Sequence, residues 1–171
     1  MSRFFLILAA FILFASSSTT AQTKAQKRAA ENARIENIAK EAFENNEFVI
    51  VVDRIFPVGG NAKYSSDGYF VKISGDTLNC FLPFFGSAHS PAVYSTNLSI
   101  DLKDEIVKVV KGETKKGEYT FNLEVLSSKD QKSNEIFKFY ISFYGNANAS
   151  INLISSNRDS MSYHGKLKTE K

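Results

Sequence analysis

Two histidines and one cysteine are the whole stock of those residue types in this chain of 171 residues, which has no tryptophan. That scarcity bounds the covalent and metal chemistry open to it. His89 sits between Ser87 and Ser90. Acyl transfer by a serine and a histidine needs the base within hydrogen-bond reach of the nucleophile, an orienting acid and an oxyanion hole. No Gly-x-Ser-x-Gly elbow marks those parts, and the neighbourhood is a Pro-containing loop. His89 therefore reads as a loop histidine. His164 falls on the polar side of the last strand when Tyr163 and Leu167 face inward. Two histidines and Cys80 are too few and too scattered for a structural zinc site, which takes four ligands. Asp101, Asp104 and Glu105 lie close together, but they read as a solvated strand end and turn rather than a calcium cage. Carboxylates for glycoside cleavage could converge from distant strands, a pattern that a linear sequence does not display. The expectation is a non-enzymatic chain with no catalytic residue, no metal site and no cofactor.

Other motifs resolve into ordinary structure. The Val58-Gly59-Gly60-Asn61 run lacks the Lys-Ser/Thr of a phosphate loop and opens no helix, so it is a turn. Asn97-Leu98-Ser99 and Asn148-Ala149-Ser150 match a glycosylation sequon, which matters only in a eukaryotic secretory route. Formal net charge is +3. That balance argues against nucleic acid or an anionic membrane as partner. The aromatic residues are the remaining signal. Phe81, Phe84, Phe85 and Tyr94 lie in or beside the longest irregular stretch, Pro83 to Asn97. Together with Tyr163 they are the candidate ligand-binding set, placed to line a cavity for a small apolar or sugar-like ligand. The competing reading makes them a core cap. Arg158, in the Asn157-Arg158-Asp159 turn, is placed to pair with an acid across the domain end and fix the last hairpin.

The elements that must position these residues follow from hydrophobic period. The chain starts Met1-Ser2-Arg3, continues with an apolar run from Phe4 to Phe14, and then turns to small polar residues before Ala21-Gln22. This is the pattern of a cleavable secretion signal over residues 1–21. Its apolar core of about eleven residues is near half of what a bilayer crossing takes. No cysteine stands at the cleavage point, so no lipid anchor is expected, and the product is placed in the periplasm or outside the cell. Residues 22–46 form a helical segment, with Ile35, Ile38, Ala39, Ala42 and Phe43 on one stripe.

From Glu47 the period becomes two. Phe48, Ile50 and Val52 alternate with Val49, Val51 and Asp53, and the same alternation recurs to Leu167. Gly75-Asp76 and Gly145-Asn146 supply tight turns. Eight or nine strands at short spacing, mostly joined by hairpins, predict one antiparallel domain over residues 47–168. One strand face is core and the other wet. A meander of that length closes into an up-and-down barrel, because open edges invite aggregation. Cys80 reads as a small buried apolar residue.

Three stretches carry a family likeness. They are Leu82-Pro83-Phe84-Phe85-Gly86 followed by Ala88 and Tyr94, Ser156-Asn157-Arg158-Asp159-Ser160-Met161-Ser162-Tyr163-His164-Gly165, and the Gly68 to Ile73 strand before Gly75-Asp76. With the order of signal, helix and sheet, the chain resembles domain-of-unknown-function family 4251, small secreted proteins typical of Bacteroidota. The resemblance implies a lipocalin-like β-barrel of about eight strands and an envelope or extracellular location. It implies no activity and transfers no functional residue. The expected role is a monomeric binding module for a small apolar ligand or peptide in the cell envelope. The alternatives are an envelope interaction protein with a filled barrel, or a hydrolase.

Overall fold

A computed structural model describes residues 23–65, 68–89, 99–126 and 135–169. Residues 1–21, where a secretion signal is expected, and Tyr94 lie outside the described residues. The chain divides at Glu31–Asn32 into two units. The first holds the opening turns of α1 (Lys24–Asn45), where the Thr23 hydroxyl accepts a hydrogen bond from the Gln26 backbone N–H. That exchange caps the helix start.

The second unit runs from Asn32 and contains every strand among the described residues. α1 stops at Asn45 because Asn46 takes φ 54°, the left-handed conformation that ends helices. The Asn46 carbonyl then accepts from Gly75 N–H at 2.9 Å. Among the described residues ten strands follow: β1 (Glu47–Pro57), β2 (Lys63–Tyr64), β3 (Phe70–Ser74), β4 (Thr77–Pro83), β5 (Ser99–Ile106), β6 (Lys108–Glu113), β7 (Glu118–Leu126), β8 (Ile136–Tyr144), β9 (Asn148–Ser155) and β10 (Met161–Leu167). Every pairing between them is antiparallel. The spatial order is β5-β4-β3-β1-β10-β9-β8-β7-β6, with β2 paired to β1 beside this path.

The order is a meander whose first strand pairs with its last, so the sheet curls into a nearly closed barrel. Ile106 ends β5 opposite Thr77 of β4, and Lys108 opens β6 opposite Glu124 of β7. A single residue, Val107, joins the two edges. It is buried, and its N–H donates to the Asp76 carbonyl at 2.8 Å. β5 and β6 thus behave as one bent strand that serves both edges, and the nine strands on the path agree with the eight or nine expected.

Two irregularities shift the inward face. In β1, Phe48, Ile50 and Val52 point in, the register slips between Val52 and Arg54, and Ile55 then takes the buried position. In β5, Ile100 and Leu102 point in, Asp104 takes φ 54°, and Glu105 becomes the next buried side chain. Bulges of this kind add one residue to one strand and exchange the faces beyond it. Gly165 meets the first bulge: a Cβ there would lie 2.0 Å from the Val51 carbonyl oxygen. Only glycine lets β10 pass so close to β1.

Candidate functional site

Among the described residues the inward-facing positions of the barrel hold large apolar side chains. Phe121, Phe139, Phe143 and Tyr163 are fully buried, together with Ile50, Ile73, Leu78, Leu82, Ile141, Ile151, Leu153 and Met161. The rings pack on one another, with centroids of Phe48 and Phe121 4.8 Å apart and of Phe121 and Phe143 5.7 Å apart. Cys80 belongs to this core. Burial pushes its thiol up to about 12, far from the range where a thiolate nucleophile works.

At one barrel end the second half of α1 lies across the strand termini. Ala39 and Ala42 are buried, and Phe43 packs on Tyr119 and Phe121 at 4.8 and 5.6 Å. The helix carries no basic residue in its own last turn. Lys111 of β6 supplies that charge, its Nζ donating to the Phe43 and Glu44 carbonyls at 2.9 and 3.0 Å. A cation at a helix C-terminus satisfies orphan carbonyls and complements the helix dipole.

The opposite end is built from polar groups. Arg158 donates from Nε and a terminal nitrogen to both oxygens of Glu135, at 2.8 and 3.1 Å. The side chains are 10% and 2% exposed. Ser155 Oγ donates to Glu135 and accepts from the backbone N–H groups of Asn157 and Arg158. The Arg158 guanidinium lies over the Phe84 ring at 5.4 Å. One step outward, the 155–160 turn holds the loop after β4. His89 N–H donates to the Asn157 carbonyl, Asp159 N–H to the Ser87 carbonyl, and Ser87 N–H to the Asp159 carboxylate at 2.7 Å. His89 Nε2 reaches the other Asp159 oxygen at 2.9 Å. Gly86 fits because Asp159 and Phe84 would both lie 3.0 Å from a Cβ there.

The residues singled out in the sequence separate on this frame. Phe84 and Tyr163 are core, and the Tyr163 hydroxyl donates to the Pro83 carbonyl at 2.8 Å. Burial pushes that phenol well above its ordinary range. Phe81 is an outward-facing β4 residue against Tyr69, at 5.3 Å. Phe85 is on the surface, with Lys63 Nζ 4.2 Å over its ring. The structure therefore does not gather these four rings around one space. Arg158 does meet an acid at the barrel end. His164 faces outward against Phe56, with ring centroids 4.6 Å apart.

Glu105 is a correction: it is not part of a solvated turn but buried, because the Asp104 bulge turns it inward. Glu135 and Asp159 carry little mark of their site in sequence. Glu135 follows a polar run of residues, and nothing in its neighbours marks burial. Asp159 adjoins Arg158, which was the one usable signal. Among the described residues no three metal-ligating side chains gather, and no helix is long and apolar enough to cross a membrane.

Open grooves lie on the outside. One of about 590 Å3 runs between α1 and the neighbouring strands, with Ile38, Phe48, Ile73 and Leu167 on its walls and Glu41, Glu47, Lys72 and Lys168 at its rim. Another, of about 530 Å3, crosses the outer face of β6, β7 and β8 beside Val110, Asn122 and Tyr140.

The family model described as Domain of unknown function (DUF4251) matches residues 30–167. The chain is similar in fold to a crystal structure at 1.95 Å of a DUF4251 family protein from Bacteroides eggerthii DSM 20697. That likeness has a TM-score of 0.60 at 17% identity and covers 81% of this chain and 89% of the other. No curated protein matches.

Proposed function

The chain belongs to the DUF4251 family, and within that fold we propose an exported, non-enzymatic binding module that holds its ligand or partner on the outside of a filled barrel. One observation carries the reading: the inward positions are occupied by large side chains in mutual contact, with Phe121, Phe139, Phe143 and Tyr163 each 0% exposed. A carrier of apolar ligands keeps room among such residues, whereas a packed interior stabilises the wall and leaves recognition to its outer face. Export is supported by the charged, apolar and small-residue order of residues 1–21.

Native mass spectrometry and titration with a fluorescent fatty acid test the filled interior. The expected result is the mass of the bare chain and no saturable uptake. A stoichiometric apolar ligand quenched by the core tyrosine would overturn it. N-terminal sequencing of chain recovered from periplasm and medium tests export. A start at Gln22 is expected, and a product retained in the cytoplasm with Met1 would overturn that part.

A further inference from the structure

The barrel wall is open along one strand. β6 ends the spatial order, and β7 is its sole strand partner among the described residues. The hairpin between the two sets which backbone groups face the open side. Thr114 N–H donates to the Glu118 carbonyl and Gly117 N–H to the Thr114 carbonyl, with Gly117 at φ 72°. From there the register runs without a shift, from Glu113 opposite Tyr119 to Lys108 opposite Glu124. In an antiparallel ladder, successive residues turn their N–H and C=O groups to one neighbour and then to the other. Thr114, Gly112, Val110 and Lys108 therefore address β7, while Glu113, Lys111 and Val109 address the open side. Val107 is next in that open row, and its N–H donates away from β7, to the Asp76 carbonyl at 2.8 Å. The row makes no other backbone hydrogen bond among the described residues.

Exposed edges are normally blunted by a bulge, a proline or an outward lysine. β6 has no bulge and no proline. Its middle lysine, Lys111, is folded back onto the Phe43 and Glu44 carbonyls. Val110 is 53% exposed, and Lys111 and Glu113 are exposed as well. The charges around this edge are unequal. Lys108, Lys115 and Lys116 are exposed and form no ion pair with another described residue, and Glu113 is the one acid in the same state. Of the other acids nearby, Glu124 is paired with Lys138, Glu118 is bonded to Tyr144, and Asp76 accepts from the Thr77 hydroxyl.

Resting on the outside-binding reading above, we propose that β6 takes up an extended segment of another protein as an added antiparallel strand, with acidic side chains at both ends of that segment. The open backbone row selects the class of occupant. Three residues offer N–H and C=O groups at strand spacing over about 14 Å, and a second backbone matches that row group for group. A polysaccharide or a lipid carries no such fixed alternation of donors and acceptors. The side chains select the charge. Acids at the two ends meet Lys108 and the Lys115–Lys116 turn, and apolar residues between them lie beside Val110 and Gly112. A second copy of β6 is a poorer match. Pairing that uses all three open residues sets Lys111 opposite Lys111, and like charges directly opposite destabilise a ladder.

The test joins fluorescence anisotropy to amide exchange followed by NMR. The probe is the labelled, end-blocked peptide Glu-Thr-Val-Thr-Val-Thr-Glu, which reads the same in either direction. Saturable binding to the full chain is expected, with exchange at Val109, Lys111 and Glu113 slowed at least tenfold. Methylating the three threonine backbone nitrogens of the peptide, which are the ones that face β6, should abolish binding. Lys108→Glu should weaken it severalfold. Glu113→Pro removes one open donor and no bond to β7, and should weaken binding at least tenfold. If that variant fails to fold, the methylated peptide makes the same test on the parent chain. Absence of saturable binding up to about 1 mM peptide would overturn the proposal. Equal binding of the methylated peptide, or protection confined to other residues, would do the same. So would slow exchange of the three amides in the free chain, and a dimer in sedimentation would then place a second copy on the edge. Each of those results leaves the filled barrel standing, since that reading is decided separately by apolar ligand uptake.

Discussion

Carbon seals the barrel where α1 lies, and charge seals it at the other end. At the helix end, Phe43 stacks on Tyr119 and Phe121, Ala39 and Ala42 fill the space beneath, and one lysine ties the helix terminus to β6. At the opposite end a buried Glu135–Arg158 pair and its serine hold the last hairpin, and an exposed histidine and carboxylate hold the loop above it. The two solutions fail differently. An apolar seal loses stability in proportion to the contacts removed. A buried ion pair is close to neutral when intact, yet severe when one partner is removed, because the other charge is stranded away from water.

The largest expected effect is therefore at the polar end. Glu135→Ala should lower unfolding stability by about 3–5 kcal/mol in urea titration, since it removes the carboxylate that takes two hydrogen bonds from the largely buried Arg158 guanidinium. The double replacement Glu135→Met with Arg158→Leu should recover most of that loss. If the single change costs less than about 1 kcal/mol, the hairpin is not fixed by the pair and the contrast between the ends disappears.

At the helix end Phe43→Ala should cost about 2–3 kcal/mol in the same titration. That is below the range for a fully buried phenylalanine because this ring is only partly buried. Lys111→Met adds a test of the helix terminus, with a loss of about 0.5–1 kcal/mol that 1 M salt leaves in part, since the lysine also donates hydrogen bonds. A Phe43→Ala loss equal to that of Glu135→Ala would mean the two seals are energetically alike.

How much of this was readable depended on where the alternation of side chains is unbroken. β7 to β10 keep strict inward and outward alternation with no register shift, and their core residues Tyr119 to Val125, Phe137 to Phe143 and Ile151 to Leu153 follow from period alone. The helix stripe at Ile35, Ile38, Ala39, Ala42 and Phe43 was equally legible, because each of its residues packs into or against the core. β1 and β5 resist the same reading beyond Asp53 and Asp104. A bulge leaves no compositional mark on the residues it inverts, so Glu105 looks solvated in sequence and is buried in space. The described members of the aromatic set separate for a related reason. Composition counts Phe81, Phe84 and Phe85 as neighbours, but Phe81 faces out from β4 and the strand ends at Pro83, so the next two rings part company, one to core and one to surface.

Between the two seals, Cys80 reports on the wall itself. Its thiol has an ordinary value of 9.0 and is pushed up to about 12 in the folded chain, with burial as the main cause. The folded state thus holds its proton more tightly than the unfolded state. The associated stability is present in full below pH 9, and it declines as pH rises towards 12. A loss of about 2 kcal/mol is expected between pH 8 and pH 10.5, and Cys80→Ala should flatten that slope. Thiol labelling at pH 8 should proceed only as fast as unfolding. Rapid labelling of the native chain would show that the wall opens at β4 independently of either end.

The smallest effects belong to the outer polar contact. His89 and Asp159 lie 2.9 Å apart, with side chains 58% and 32% exposed, so their pairing is worth little in water and less in salt. His89→Ala should change stability by no more than about 0.5 kcal/mol. Asp159→Ala should cost about 1 kcal/mol, because it also removes the acceptor for Ser87 N–H at 2.7 Å. The ranking is the informative quantity. If His89→Ala proved the more damaging of the two, the histidine would be organising the turn itself. The polar end would then have two points of closure in place of the single buried pair that distinguishes it from the helix end.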